Sequence, residues 1–237
     1  MFEELLIKPL YNAFVYLIGV VPGGDVGLAI VVLTLIVRAL FYPAFTASIR
    51  TQMGMRAAQG ELDEINKKYK DDPKVRTERT MALFKEKKIR PLAGLVALLI
   101  QIPIFIALYL VFFREGLPEI DMGLLYSFVS VPALVQTNFL GFLDLLAAHN
   151  VVLAAIVGGT QYLVTRLSLA RTPAKASSPE KEAAHRMQRT LMLYMLPGLM
   201  PVLTYTFPAG VGIYFVTGNL VSIAQEWYLR RQKNVTK

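Results

Sequence analysis

The stretch Val26–Ile49, VGLAIVVLTLIVRALFYPAFTASI, carries one charged residue, Arg38, near its middle. Its length and composition predict a membrane-spanning helix, because about 20 predominantly apolar residues cross the hydrocarbon core of a bilayer. A guanidinium at that depth costs about 2.5–3.5 kcal/mol on insertion scales unless water or polar partners reach it. Arg38 therefore predicts a wet intramembrane cavity, and the alternative is a side chain that extends to the inner headgroups.

The composition of the whole chain indicates a polytopic membrane protein. Hydrophobic residues make up 54% of the 237 positions and charged residues only 18%, and long uncharged runs recur. Cysteine is absent, so disulfides, thiolate metal sites and a cysteine nucleophile are excluded from this sequence. The N-terminus has Glu3 and Glu4 where a signal peptide has basic residues, so it does not resemble a cleaved signal.

The positions of the basic residues predict the topology. Of the 25 Lys and Arg residues, 12 lie within residues 47–90, six within 166–189 and four after Trp227. Because basic loops stay on the cytoplasmic side, we place these three regions and the C-terminus in the cytoplasm. The protein is then a multi-pass protein of the plasma (inner) membrane. The net charge of +8 then reflects orientation and contact with anionic lipid or ribosomal RNA.

These patterns predict an all-α fold in a single domain, residues 1–237, with five core transmembrane helices. The predicted segments, in chain order, are an interfacial helix at 1–22, span 1 at 26–46, a cytoplasmic helical hairpin at 50–90, span 2 at 91–113, an outer interfacial segment at 114–144, span 3 at 145–166, a cytoplasmic loop at 167–189, span 4 at 190–207, span 5 at 209–227 and a cytoplasmic tail at 228–237.

Two of these segments leave an alternative open. The apolar stretch within residues 1–22 is short and ends at a Pro-Gly-Gly turn, so we favour a helix on the outer face over a short span. Residues 122–143 are uncharged, but a crossing there would place the later basic regions outside, so we assign them to the outer surface. In the hairpin, Asp72 and Pro73 predict the start of its second helix.

Four motifs, in order along the chain, resemble the YidC-type membrane protein insertases. They cover roughly residues 5–230, and the ordered set is more specific than any single motif. The motifs are VGLAI…LIVR at 26–38, YKDDP at 69–73, RPLAG…QIPIFIALY at 90–109 and FPAG…IYFVTGNL at 207–220. The resemblance is to the bacterial short form without the large extracytoplasmic domain.

The resemblance implies five core helices around a hydrophilic groove that is open to the cytoplasm and the lipid and closed on the outer side. It implies groove residues at Arg38, Thr34 and Gln161, and a lipid-facing slide for the substrate along the second and last spans, comprising Ile102, Phe105, Tyr214 and Phe215. Gln101 joins the groove set because it is a polar residue within the second span.

Each of these assignments has a plainer alternative. Gln101 and Gln161 are also suited to hydrogen bonding between packed helices. The slide residues are equally typical of ordinary packed or lipid-facing positions, and Tyr214 also of an interfacial anchor. Phe215 departs from the Trp or Tyr that relatives often carry there, and the short basic tail puts ribosome binding through the tail in doubt.

We therefore expect a membrane protein insertase and chaperone that takes hydrophilic outer tails into a wet groove and releases the apolar segment to lipid, without ATP. The expected partners are nascent membrane proteins, membrane lipid, the ribosome and, from the family only, the Sec translocon; DNA, a cofactor and a metal are not expected. Catalytic motifs are missing, which argues against an enzyme. The alternative is a small-solute anion transporter or channel subunit, which five spans without an inverted repeat fit poorly.

Overall fold

The computed structural model describes residues 3–109, 117, 119–169, 187 and 190–235. The helices and strands are α1 (Lys8–Val20), α2 (Val26–Leu40), α3 (Tyr42–Ala57), α4 (Gln59–Lys68), α5 (Pro73–Glu86), α6 (Ala93–Tyr109), β1 (Asn138–Phe139), β2 (Leu143–Asp144), α7 (Val151–Leu169), α8 (Leu196–Thr206) and α9 (Ala209–Val235). Single π-helical turns precede α1 and α8. Most of the predicted cytoplasmic loop at 167–189 lies outside the described residues.

The described chain is mostly helical, which confirms the predicted fold class at that level. The small exception lies in the predicted outer segment, where Asn138 and Phe139 pair with Asp144 and Leu143 in an antiparallel ladder. Because each strand has only two residues, the ladder is a local feature of the loop and does not form the core of a sheet.

Within the described ranges, α7 is the one helix that is long and apolar enough by itself to cross a bilayer, over Val151–Ser168. Val26–Leu40 and Tyr42–Met55 meet the same criterion only together, as a bent pair. The number of spans therefore stays a prediction.

The predicted first span is interrupted at Phe41, between α2 and α3. Pro43 explains the interruption. Its ring has no N–H to donate to the carbonyl of Ala39 and would clash with that carbonyl in a continuous helix. The amide of Phe41 still bonds to the carbonyl of Val37, so α2 ends without an orphaned donor at that position.

The chain divides into two compact units. The first contains residues 1–41, 98–161 and 198–222, and the second contains residues 42–97, 162–197 and 223–237. In the first unit, one face of α1 packs on α2 and supplies a large part of the apolar core, whose most buried members there are Tyr11, Phe14, Val15, Ile18, Val26 and Ile30. The turn between these helices needs glycine, because Gly23 and Gly24 have φ values of +68° and +64°.

The outer loop is bonded directly to the start of α2. The Asp25 carboxylate, 5% exposed, caps α2 by accepting the amide of Leu28 at 3.0 Å and also accepts the amide of Leu140 at 2.8 Å. Backbone bonds join Gln136 to the residues on both sides of Asp25. The Gln136 amide donates to the Gly24 carbonyl, and the Val26 amide donates to the Gln136 carbonyl. We name this set of contacts, Gly24–Val26 with residues 136–140, the outer seam.

The second unit contains the helical hairpin α4–α5. Asp72 caps α5 by accepting the amide of Val75 at 3.0 Å, as the sequence indicated. A small apolar core closes the hairpin, formed by Ala58, Leu83, Phe84 and Ile89. The pair between Lys87 and Glu61 at 2.8 Å raises the pKa of Lys87, but its exposure makes it a small contribution to stability.

Close helix packing in the first unit leaves one buried hydroxyl without a partner. Gly212 of α9 lies against Thr204 of α8 and Leu153 of α7, so closely that a Cβ there would overlap the Leu153 side chain. Thr204, 1% exposed, has no hydrogen-bond partner for its hydroxyl within the described part of the chain.

Prediction for the outer seam. Asp25→Asn keeps one oxygen to cap α2 but places an NH₂ group against the Leu140 amide, so it should lower the free energy of unfolding by about 1–3 kcal/mol. Hydrogen exchange of the peptide that contains Leu140 should accelerate. Asp144→Asn is the matched control, because Asp144 is exposed and its carboxylate accepts the nearby Leu146 amide. Equal exchange in both variants would contradict the role of Asp25.

Prediction for the orphaned hydroxyl. Thr204→Val replaces that hydroxyl with a methyl of similar volume, so it should raise the free energy of unfolding by up to about 1 kcal/mol. Thermal unfolding in detergent measures the change. Thr206→Val is the control, because the Thr206 hydroxyl donates to the carbonyls of Val202 and Leu203 on an exposed surface. Destabilisation by Thr204→Val would indicate a partner for the hydroxyl.

Candidate functional site

Helix α2 places Arg38 one turn after Thr34 on the same face. Thr34 is 4% exposed and its hydroxyl donates to the carbonyl of Ile30 at 2.7 Å, so this hydroxyl is bonded within its own helix. Arg38 is half-buried. The α2 face therefore presents a cation one turn after a buried hydroxyl.

Helix α9 approaches the guanidinium of Arg38 with two residues one turn apart, Tyr214 and Gly218. A Cβ on Gly218 would lie 3.2 Å from Arg38 Nη2, so the guanidinium rests against the α9 backbone at this position. Tyr214 precedes Gly218 by one helical turn, so the two residues share one side of α9. The cation thus lies where two apolar helices meet.

Gln101 of α6 belongs to the same group of side chains, because its Nε2 donates to the hydroxyl of Tyr214. Tyr214 is 5% exposed. We predicted Tyr214 as a slide residue, and its hydroxyl accepts this bond from the amide of Gln101. Tyr214 of α9 thus contacts Gln101 of α6, and Gly218, one turn later on α9, lies against Arg38 of α2. We name Arg38, Tyr214, Gln101 and Gly218 the polar cluster.

Gln161 is half-buried on α7, beside a polar contact that the sequence analysis did not include. The adjacent residue, Thr160, accepts a hydrogen bond from Asn219 Nδ2 at 3.1 Å. Asn219 follows Gly218 on α9, so this contact joins α7 to α9 next to the polar cluster. Its signal in the sequence is a polar residue within each of two apolar helices, Thr160 and Asn219.

The proposed slide residues differ in exposure. Ile102 is 42% exposed, whereas Phe105 and Phe215 are half-buried. Phe105 packs edge-on against Phe207 with ring centroids 6.2 Å apart, and Tyr214 lies against Phe215 at 5.6 Å. Phe207 was not among the predicted slide residues, although it is the first residue of the FPAG motif. Ile102 is thus the most accessible of the four predicted positions.

The polar cluster offers binding chemistry. A guanidinium provides five N–H donors in a planar fork suited to carboxylates, and the amide and phenol provide further hydrogen-bonding groups. Attraction to an acid is stronger here than in water, because the surrounding helices have a low dielectric constant.

The chain matches the model of the family described as 60Kd inner membrane protein over residues 18–237. The chain belongs to this family of inner membrane proteins, and the relatives below confirm the resemblance drawn from the four motifs.

Three relatives carry the name membrane protein insertase YidC. The protein of Neisseria gonorrhoeae is 35% identical over 211 residues, which are 88% of this chain and 33% of the relative. The protein of Histophilus somni is 30% identical over 228 residues, 95% of this chain and 37% of the relative. The protein of Francisella tularensis subsp. novicida is 33% identical over 215 residues, 90% of this chain and 34% of the relative. The chain therefore spans about a third of the length of these curated relatives.

Prediction for the polar cluster. Tyr214→Phe and Gln101→Leu each remove one partner of the bond between α6 and α9. The double variant should lose less stability than the sum of the single variants, with a coupling of about 0.5–1.5 kcal/mol. Unfolding in detergent followed by circular dichroism measures each value. Tyr16→Phe is the matched control for loss of a phenol, because Tyr16 is 59% exposed on α1. Additive losses would contradict the bond.

Proposed function

We propose that this chain is a membrane protein insertase and chaperone of the plasma membrane. The observation that carries the proposal is the polar cluster, in which a cation, an amide and a phenol meet among apolar helices of a chain that belongs to an inner membrane protein family. The names of the relatives support the same activity.

The barrier to insertion lies in the hydrophilic tail that must cross the membrane. Each polar group taken into hydrocarbon without a partner costs several kcal/mol. A groove lined by Arg38, Thr34, Gln101 and Gln161 shortens the apolar path, because water and hydrogen-bonding groups then reach into the membrane. Arg38 attracts acidic residues of the tail into this groove, while Ile102, Phe105, Tyr214 and Phe215 line the flank along which the apolar segment leaves.

Transfer of the apolar segment to lipid supplies the free energy, so the proposal needs no ATP. Burial of apolar surface is worth about 25 cal/mol per Å², which makes the release of a complete span strongly favourable. The protein lowers the kinetic barrier and lipid holds the product.

The outer seam supports a groove that is closed on its outer side. Asp25 bonds the outer loop to α2 through two carboxylate hydrogen bonds, and carboxylate bonds to amides are stronger than neutral ones. An anion transporter, the alternative, needs an outer gate that opens in every cycle. The hydrogen bonds of the outer seam oppose such opening, so they favour the insertase.

The remaining features follow from the charge pattern. We propose five spans with the C-terminus in the cytoplasm, and the basic hairpin α4–α5 as the surface that meets ribosomes or nascent chains. Contact with the Sec translocon is proposed from the family resemblance alone.

Prediction for insertion. The purified chain in liposomes without Sec components should insert a single-span substrate with an acidic outer tail, which protease protection of the tail measures. Arg38→Ala should lower insertion by about tenfold, equivalent to about 1.4 kcal/mol of lost attraction, and Arg38→Lys should restore most of it. Arg50→Ala is the matched control, because Arg50 is exposed on α3.

The outcomes separate the proposals. Equal insertion by wild type and Arg38→Ala would keep the insertase and remove the charge from its mechanism. Insertion no better than in empty liposomes, for several substrates, would contradict an autonomous insertase. Uptake of a small anion by the same liposomes would support the transporter.

A further inference from the structure

Gly218 is the place where α9 comes closest to the guanidinium of Arg38. A Cβ at this position would lie 3.2 Å from Arg38 Nη2, a separation tighter than side chains normally adopt. Gly218 itself is buried within α9. The approach therefore depends on the absence of a side chain.

The backbone conformation does not require glycine here. Gly218 is not among the residues with positive φ, and its carbonyl accepts the hydroxyl of Ser222 at 2.8 Å within an uninterrupted helix. Glycine in a helix interior costs about 1 kcal/mol relative to alanine. Space for the guanidinium is the feature of this position that offsets that cost.

Other helical glycines differ in what they face. Gly159 on α7 has nothing within 4 Å of the position where a Cβ would be. Gly212 on α9 faces the apolar atoms of Leu153 and the methyl of Thr204. Gly218 instead faces the guanidinium of Arg38.

We propose that Gly218 is a positioning residue for the groove, which sets the depth of the Arg38 guanidinium and so the place where a carboxylate of the substrate tail binds. This inference rests on the proposed insertase function. A larger side chain at position 218 displaces the guanidinium from α9. Alanine requires the guanidinium to shift by a few tenths of an ångström. Valine has two more carbons than alanine and requires a larger shift.

The first experiment measures insertion of two substrates that differ only in the charge of the outer tail. Gly218→Val should lower insertion of the acidic tail by about fivefold and Gly218→Ala by less, while insertion of the neutral tail stays near the wild-type level. Gly159→Val is the matched control, since it adds the same side chain to a helical glycine that faces open space. Equal losses for both tails would overturn the proposal in favour of general packing.

A double-mutant cycle with Arg38→Ala identifies the partner. Without the guanidinium, Gly218→Val has nothing to displace and should cause no further loss for the acidic tail. The same additional loss in both backgrounds would show that Gly218 acts independently of Arg38, which contradicts the proposal.

A chemical readout separates this inference from the function on which it rests. Phenylglyoxal modifies exposed guanidinium groups, and peptide mass spectrometry reports the adduct at Arg38 in liposomes without substrate. Gly218→Val should raise the labelling rate of Arg38 severalfold, and Gly159→Val should not. Altered labelling with no insertion by wild type would retain the contact and reject the insertase, whereas unchanged labelling would reject the contact itself.

Discussion

An arginine within an apolar helix must find polar partners or water, and the first unit of this protein is arranged around that requirement. Arg38 lies on α2 against α9, where Gly218 leaves room for it. Gln101 extends the polar contacts to α6 through the hydroxyl of Tyr214. The cation therefore lies between α2 and α9, and a phenol and an amide are bonded to each other one turn away.

The outer seam gives the first unit its second constraint. Asp25 is buried but bonded to two amides, so its charge is compensated by hydrogen bonds. One residue therefore both starts α2 and fixes the outer loop to it.

Sequence reasoning identified the helical class and the family, because each leaves a local signature. A charge within an apolar run, a cap before a proline and ordered motifs can be read from the chain. Contacts between distant residues leave no such signature. The bond between Asp25 and Leu140, the place of the Tyr214 hydroxyl and the approach of Gly218 to Arg38 each depend on how separate helices and loops pack. The break at Phe41 was available from Pro43, but the long apolar run outweighed that single residue.

The most direct test is to locate the substrate tail while it is being inserted. The chain contains no cysteine, so Gln101→Cys introduces a single thiol beside Tyr214, and a second thiol is placed in the acidic tail of the substrate. The proposed groove predicts a disulfide between the two during insertion, and none with Tyr16→Cys on the exposed face of α1. Insertion without a cross-link at position 101, or equal cross-linking at position 16, would contradict a path through the polar cluster.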